Sequence, residues 1–241
     1  MKERLDKFIS SQTALSRREV HRAIKDKRVL VNGSSVRSAD MKIDTETDAV
    51  ILDGAPLTYK KHVYYMLNKP SGVVSATEDR QEKTVIDILP EELRRRGLFP
   101  AGRLDKDTTG LLIVTDDGDY AHRMLSPKKH VVKRYIAGLD RIPGGDIVDS
   151  FSKGIILGDG TVCKSAGAEL LGGTRVAVEI SEGKYHQVKR MFAALGYHVE
   201  DLERVSIGAL KLDEELERGR LRELSGDEAE LVFVKSDPEK Q

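Results

Sequence analysis

The stretch from Ala101 to Gly110 carries the side chains in this sequence that are best suited to chemistry. It reads AGRLDKDTTG and comes just before the most hydrophobic run in the chain. Arg103 and Asp105 are close together in the sequence, so the guanidinium group could hold the carboxyl group ionised. An ionised, partly buried carboxylate can act as a nucleophile or as a general base. The same spacing also fits a polar turn whose charges pair with one another, and the residues alone leave both interpretations open.

A predicted helix later in the chain could supply a partner for this carboxylate. Its apolar residues recur at i, i+3, i+4 and i+7, and they are Val188, Met191, Phe192 and Leu195. Lys189 and Arg190 must therefore point away from the apolar face. They could complement a carboxylate or phosphates, although two solvated cations are the plainer interpretation.

A tyrosine lies next to cations in the run Lys133-Arg134-Tyr135. The period of a strand places Lys133 and Tyr135 on one face and Arg134 on the other. A tyrosine beside cations suits base stacking or proton transfer. Packing within the sheet is the competing interpretation.

Signatures of several enzyme classes are absent from the sequence. It contains no phosphate loop of the GxxxxGK[ST] type, no GxGxxG, no HExxH and no GxSxG. The run Asp116–Asp119 fits a turn and a helix cap better than a calcium loop, because it lacks alternating ligands. Asp105 and Asp107 do not fit a glycosidase pair, whose carboxylates usually come from separate segments. Cys163 is the single cysteine, which excludes a disulfide framework and a cysteine-rich zinc site.

The composition is that of a globular protein with one large domain or two smaller ones. The chain has 241 residues, of which 39% are hydrophobic and 33% are charged, so a sizeable core is possible. No window approaches the roughly 20 apolar residues of a membrane span, and the first residues lack the apolar core of a signal peptide. We therefore expect a cytoplasmic protein that has no membrane partner.

The formal net charge is zero, but the charges are unevenly distributed. Residues 1–61 have an excess of four positive charges, residues 62–212 an excess of one, and residues 213–241 an excess of five negative charges. A basic front half is what a local site for a polyanion would produce.

The first sixty residues indicate a compact helix–helix–strand unit. Apolar residues recur at helical spacing within residues 3–15. Ser16-Arg17-Arg18-Glu19 is a capping box, and it predicts a second, basic helix over Arg17–Arg28. Asn32-Gly33 and Asp53-Gly54 are hairpin turn signals beside short strands.

Short strands and helices alternate over the rest of the chain without a regular repeat. We predict strands at Leu111–Val114, Lys133–Leu139 and Thr174–Ile180. A helix over Tyr120–Leu125 is expected to be capped by Asp119. Mixed elements joined by hairpin turns favour an α+β fold.

Five motifs, in this order, resemble those of the pseudouridine synthases that modify ribosomal RNA. The motifs are LNKPSG at 67–72, GRLD at 102–105, KRY at 133–135, QVKRM at 187–191 and LER at 202–204. Residues 1–58 are similar to an S4 RNA-binding domain, so the resemblance covers nearly the whole chain. Within the family, the run YHQVK at 185–189 looks like the branch that acts on small-subunit ribosomal RNA.

The resemblance implies an α+β protein of two domains. A small S4-like helix–helix–strand domain is expected at residues 1–58, followed by a linker at 59–62. The pseudouridine synthase domain is expected at 63–235, built on a mixed, mainly antiparallel sheet. Residues 236–241 are expected to form a frayed tail.

The resemblance also assigns roles to individual residues. It makes Asp105 the essential aspartate, Tyr135 the residue that stacks on the target base and moves a proton, and Lys189 the cation paired with the aspartate. Most of the family has arginine at 189, so a lysine there leaves a point charge in place of a bidentate fork. The implied substrate-binding residues are Leu202 beside the base, Arg103 in the gap left by the everted nucleotide, and Lys69 and Pro70 bracing the catalytic loop. Isomerising uridine needs no net redox change or phosphoryl transfer, so no cofactor and no metal are expected.

Ribosomal RNA is the partner that the resemblance implies, specifically 16S rRNA, either free or within an assembling 30S particle. The alternatives are the same activity on 23S rRNA, a non-catalytic RNA-binding protein of ribosome assembly, and a glycoside hydrolase that releases uracil. We expect a monomer. Phosphate contacts are predicted for the basic residues of the S4-like domain, namely Arg4, Lys7, Arg17, Arg18, Arg22 and Lys25.

Overall fold

The structure is a computed structural model that describes residues 2–95 and 97–235. The predicted tail at 236–241 lies outside the described residues. Within the described ranges, no helix combines the length and the apolar character that a membrane span requires.

The chain divides into two compact units. The described residues of Met1–Val63 and Leu89–Leu98 form the first unit, and those of Tyr64–Ile88 and Phe99–Gln241 form the second. The segment Leu89–Leu98 thus groups with the first unit. The sequence placed that segment in the predicted domain at 63–235 and contained no signal for this grouping.

The first unit packs two helices and short strands around one apolar core that includes Leu5, Phe8, Val20 and Ile24. Its sheet has the strand order β3-β2-β5-β6, and β1 pairs with β4. The elements are β1 Lys2–Arg4, α1 Leu5–Gln12, α2 Arg17–Lys25, β2 Val29–Val31, β3 Ser34–Ser35, β4 Lys42–Asp44, β5 Val50–Leu52 and β6 Ala55–Leu57.

The local signals in this unit act as predicted, apart from the ends of the helices. Ser16 forms the capping box that starts α2. The helix ends at Lys25 instead of Arg28, because Asp26 is its C-cap and Lys27 has a left-handed φ of 59°. The Asn32-Gly33 turn joins β2 to β3 with φ of 50° and 77°, the left-handed pair that a tight hairpin needs.

The second unit is built on a nine-stranded sheet with the path β11-β12-β10-β13-β9-β7-β15, to which β14 and β8 add at β13 and β9. Among the described strands, β13 and β9 pair in parallel and the other pairs are antiparallel. The elements are β7 Tyr64–Lys69, β8 Phe99–Ala101, β9 Thr109–Thr115, α3 Gly118–Leu125, β10 Lys133–Leu139, α4 Ile147–Lys153, β11 Gly167–Gly172, β12 Arg175–Ile180, α5 Gln187–Ala194, β13 Val199–Ile207, β14 Leu210–Lys211, β15 Leu221–Glu223 and α6 Gly226–Glu230.

Strand β9 lies at the centre of this sheet and every one of its residues is buried. Its Leu111 and Ile113 pack with Met66 and Tyr120 in an apolar core. Helix α3 is capped by Asp117, whose side chain accepts from the Tyr120 amide, so the prediction that Asp119 caps this helix is wrong. The fold class is confirmed: a helix–helix–strand unit precedes a mixed, mainly antiparallel sheet.

Candidate active site

The loop between β8 and β9 carries Asp105, and its backbone is bound by the side chain of Lys69, the last residue of β7. The Lys69 side chain is fully buried, with 0% of its surface exposed. Its Nζ lies 2.9 to 3.1 Å from the carbonyl oxygens of Pro70, Asp105, Lys106 and Thr108, and these four acceptors share its three N–H donors. Burial lowers the pKa of Lys69 to about 8. One buried ammonium group therefore ties together the backbone of the loop that presents Asp105.

A second contact holds the other side of the same loop. The Ser75 hydroxyl donates to the Leu104 carbonyl oxygen at 2.9 Å and accepts from the Leu104 amide at 3.0 Å. The Gly72 amide donates to the Lys106 carbonyl oxygen at 2.8 Å. With its backbone groups satisfied on both sides, the loop keeps the Asp105 side chain in one place.

Asp105 lines a pocket of about 260 Å³, and 27% of its side chain is exposed. Its Oδ1 lies 3.4 Å from Nε2 of His186. His186 is the N-cap of α5 and has a left-handed φ of 47°. The ring of Tyr185 stacks on the imidazole with centroids 3.9 Å apart. The expected ionic link between Arg103 and Asp105 does not occur among the described residues; Arg103 is an exposed residue of the pocket wall.

Lys189 pairs with Asp107 and not with Asp105, so the predicted contact is wrong. Its Nζ lies 2.5 Å from Oδ1 of Asp107, and this hydrogen bond lowers the pKa of Asp107. The reason is the direction of α5: its first turn presents His186 to Asp105. Lys189, three residues further along, meets the loop two residues past the aspartate. The sequence placed His186 in the right stretch but contained nothing to single it out.

Tyr135 and Leu202, which the sequence predicts as site residues, both line the pocket. They belong to the paired strands β10 and β13, and each is buried. Arg204, two residues beyond Leu202, places Nη1 3.4 Å from the Tyr135 hydroxyl oxygen. Its Nε donates to the Leu111 carbonyl oxygen at 2.8 Å. Arg204 is a site residue to which the sequence attached no role.

A glycine allows strands β9 and β13 to pair closely just after the loop that carries Asp105. Gly110 pairs with Arg204 across the parallel strands β9 and β13. A Cβ at Gly110 would lie 2.3 Å from the Arg204 carbonyl oxygen, and its φ is 96°. No other residue fits this close approach of two backbones.

The cations predicted to bind RNA in the first unit fall into two groups. Arg4 donates two hydrogen bonds to the Asp6 carboxylate, and Lys7 lies 2.7 Å from Glu3, so carboxylates already neutralise both. The cations of α2 are Arg17, Arg18, Arg22 and Lys25; all four are exposed, and of these Arg22 lies 3.8 Å from the Asp26 carboxylate.

Comparisons with known proteins place this pocket in a family. Residues 63–194 match the family described as RNA pseudouridylate synthase, and residues 3–50 match the S4 domain. The chain is 44% identical to ribosomal small subunit pseudouridine synthase A of Escherichia coli, over 95% of this chain and 99% of that protein. It is 42% identical to an uncharacterised RNA pseudouridine synthase of Bacillus subtilis, over 95% of this chain and 98% of that protein.

A solved structure agrees with these matches. A crystal structure of a pseudouridylate synthase is 41% identical, covers 95% of this chain and 99% of its own, and has a TM-score of 0.67. The chain belongs to the RNA pseudouridylate synthase family. The predicted family and the predicted class of enzyme are thereby confirmed.

The pseudouridine synthase match includes most of the pocket. It covers the pocket residues Asp105, Tyr135 and His186 as well as Lys189, and it ends at the last residue of α5, before the pocket residue Leu202. The S4 match covers both helices of the first unit. In the described parts of the chain, no group of three His, Cys, Asp or Glu side chains is arranged to hold a metal ion.

Proposed function

We propose that this pseudouridine synthase converts a uridine of 16S ribosomal RNA to pseudouridine. The observation that carries the proposal is the pocket that Asp105, Tyr135 and Leu202 line together. Asp105 belongs to a loop whose backbone is held by Lys69. The relative from Escherichia coli is named for the small ribosomal subunit, which favours 16S over 23S rRNA. The S4 domain, with its exposed basic helix, supplies a second surface for RNA.

The reaction exchanges one bond to C1′ for another. The N1–C1′ glycosidic bond breaks, the uracil turns within the pocket, and C5 joins C1′. The proton on C5 is then removed and N1 gains a proton, so atoms and electrons balance without an external reactant. Taking the base out of its stack costs a few kcal/mol, which the contacts in the pocket must offset.

Asp105 starts the reaction in this proposal. Its carboxylate either attacks a carbon of the substrate or removes the C2′ proton to form a glycal. His186, 3.4 Å away, orients the carboxylate. Lys189 acts indirectly, because its ammonium group binds Asp107, two residues after Asp105 in the same loop.

The remaining pocket residues hold the base. Tyr135 stacks on the uracil and accepts the C5 proton, and Leu202 packs beside the ring. Arg103, exposed at the rim, fills the space that the everted nucleotide leaves in the RNA. Lys69 acts through the loop, and Pro70 contributes one of the carbonyl oxygens that Lys69 binds.

The test is to treat 16S transcripts, partly assembled 30S particles and 23S transcripts with the full chain and to map pseudouridine chemically. We expect one modified position in a 16S-containing substrate. Modification of 23S rRNA alone would overturn the choice of substrate. RNA binding without any pseudouridine would favour the non-catalytic alternative, and release of free uracil would favour a hydrolase.

A further inference from the structure

A groove of about 810 Å³ adjoins the catalytic pocket and shares Arg103, Tyr135 and Lys184 with it. The residues that line it include five cations and one acid. The acid, Glu182, already pairs with Lys184 at 2.7 Å. The cations are Arg103, Lys133, Lys164, Lys184 and Arg204. The groove is therefore strongly positive where it meets the pocket.

The two innermost cations, Lys133 and Arg204, have no carboxylate partner among the described residues. Lys133 Nζ donates to the Val131 carbonyl oxygen at 3.0 Å. Arg204 is 4% exposed, and its Nη2 is buried with no hydrogen-bond partner within residues 2–95 and 97–235. The carboxylates near β10 lie on its other face, where Glu179 and Glu169 bind Arg134.

Lys133 is half-buried and Arg204 is buried, so these two neighbouring cations without a carboxylate partner among the described residues destabilise the fold. Burial, and to a smaller extent the nearby charge of Arg204, lower the pKa of Lys133 to about 8. A buried charge costs free energy unless an opposite charge compensates it. The arrangement makes physical sense when an anion from outside the chain enters the groove.

We propose that Lys133 and Arg204 form a binding site for a backbone phosphate of the RNA strand that flanks the everted uridine. The proposal rests on the proposed function for the identity of that RNA. Lys133 lies on the same strand face as Tyr135, two residues or about 7 Å away. A phosphate attached to the nucleotide that Tyr135 holds is thus within reach of the lysine. Lys164 and Arg103, both exposed, line the route of the strand along the groove.

The first experiment measures phosphate contacts without relying on turnover. The full chain carrying Asp105→Asn binds oligouridylate at several salt concentrations, alone and combined with Lys133→Met. Losing one phosphate contact should lower the slope of log Kd against log salt by about 0.7. Lys133→Arg should restore the slope. Lys153→Met removes an exposed cation outside the groove and serves as the matched control, with no expected change.

Thermal melting without RNA separates a binding role from a structural one. Lys133→Met removes a half-buried charge that no carboxylate of the described residues compensates, so the melting temperature of this variant should equal or exceed that of the parent chain. A clear decrease would mean that Lys133 holds the fold together and would overturn the proposal. An unchanged salt slope would overturn it as well.

The second experiment identifies the phosphate. A 16S fragment containing the mapped uridine carries one neutral methylphosphonate, either 5′ or 3′ of that uridine. At one of these positions, the parent chain should bind about tenfold more weakly than it binds native RNA. With Lys133→Met, the same replacement should change Kd less than twofold. Equal effects in both chains at both positions would overturn the proposal.

The two proposals can fail separately. If the substrate proposal is wrong, no pseudouridine forms in native 16S RNA, yet Lys133→Met still lowers the salt slope on oligouridylate. If the phosphate site is wrong, pseudouridine forms normally and the salt slope stays the same.

Discussion

The cations of α2 in the first unit lie exposed on a helix surface, whereas Lys69 and Arg204 in the second unit are buried. Exposed charges act over a distance and are screened by salt, so they contribute affinity for RNA without regard to sequence. Buried cations act over one hydrogen-bond length and determine where a loop or a ligand lies. We therefore expect mutations of the α2 cations to change salt-dependent RNA affinity, and mutations of the buried cations in the second unit to change the position of the loop or of the bound RNA strand.

The largest effect is expected at the catalytic loop, where two neighbouring aspartates differ in their partners. Asp105→Asn should lower kcat at least about 10³-fold and change RNA affinity little, because it removes the reacting carboxylate. Asp107→Asn, two residues away, breaks only the ion pair with Lys189 and should retain most of the activity. Pseudouridine formation over time and filter binding measure the two quantities. Equal losses in both variants would contradict the assignment of Asp105.

The next effect concerns the buried cation beneath the loop. Lys69→Met takes the ammonium donor away from the buried Thr108 carbonyl oxygen and leaves the Asp105 and Lys106 carbonyl oxygens with one backbone donor each. We therefore expect a loss of about 2–4 kcal/mol in the free energy of unfolding and a strong decrease in kcat. Lys106→Met removes a neighbouring exposed lysine that binds Glu82 and should cost under about 1 kcal/mol. Urea unfolding measures both. If the two variants lose the same free energy of unfolding, the buried contacts of Lys69 stabilise the loop no more than the exposed ion pair of Lys106 does.

A smaller effect is expected for the exposed cations of the first unit. Replacing the basic residues of α2 by glutamine should lower the salt slope of RNA binding by about 0.9 for each lost contact with a duplex. The value of kcat at saturating RNA should stay the same. Arg37→Gln, an exposed cation outside α2, is the control and should leave the slope unchanged. A decrease in kcat with an unchanged salt slope would contradict the prediction that the cations of α2 bind RNA phosphates and take no part in the chemical step.

The smallest effect is expected for the stability contributed by Asp6, a buried carboxylate of the first unit. The Arg4 guanidinium lowers the pKa of Asp6 to about 2 from its usual value near 4. The ionised form therefore stabilises the fold above about pH 4, and this contribution is lost as the pH falls towards 2. We expect Asp6→Asn to cost about 1–2 kcal/mol at pH 6, about half of that at pH 3, and much less near pH 2.

Melting curves at several pH values test this difference. Asp53→Asn is the control, since its pair with Arg28 is exposed and should be worth less. A cost for Asp6→Asn that does not change with pH would mean that charge is not the source of its effect.

Local order was predictable because it depends on neighbours along the chain. The capping box at Ser16, the Asn32-Gly33 turn and the strand Lys133–Leu139 are present as the sequence predicted. Their physical causes, such as a side chain that reaches an amide three residues away, operate over a few residues. The ends of α1 and α2 were less predictable, because both helices stop earlier than the apolar spacing alone suggests.

The sequence by itself determined the family, the types of the pocket residues and the presence of a basic helix, because these follow from residue identity and order. Only the tertiary structure decided that His186 meets Asp105 while Lys189 meets Asp107. It also decided that Arg204 touches Tyr135 and that Leu89–Leu98 groups with the first unit. A shift of one helical turn exchanges the partners of two aspartates that are two residues apart, and spacing along the chain contains no information about such a shift.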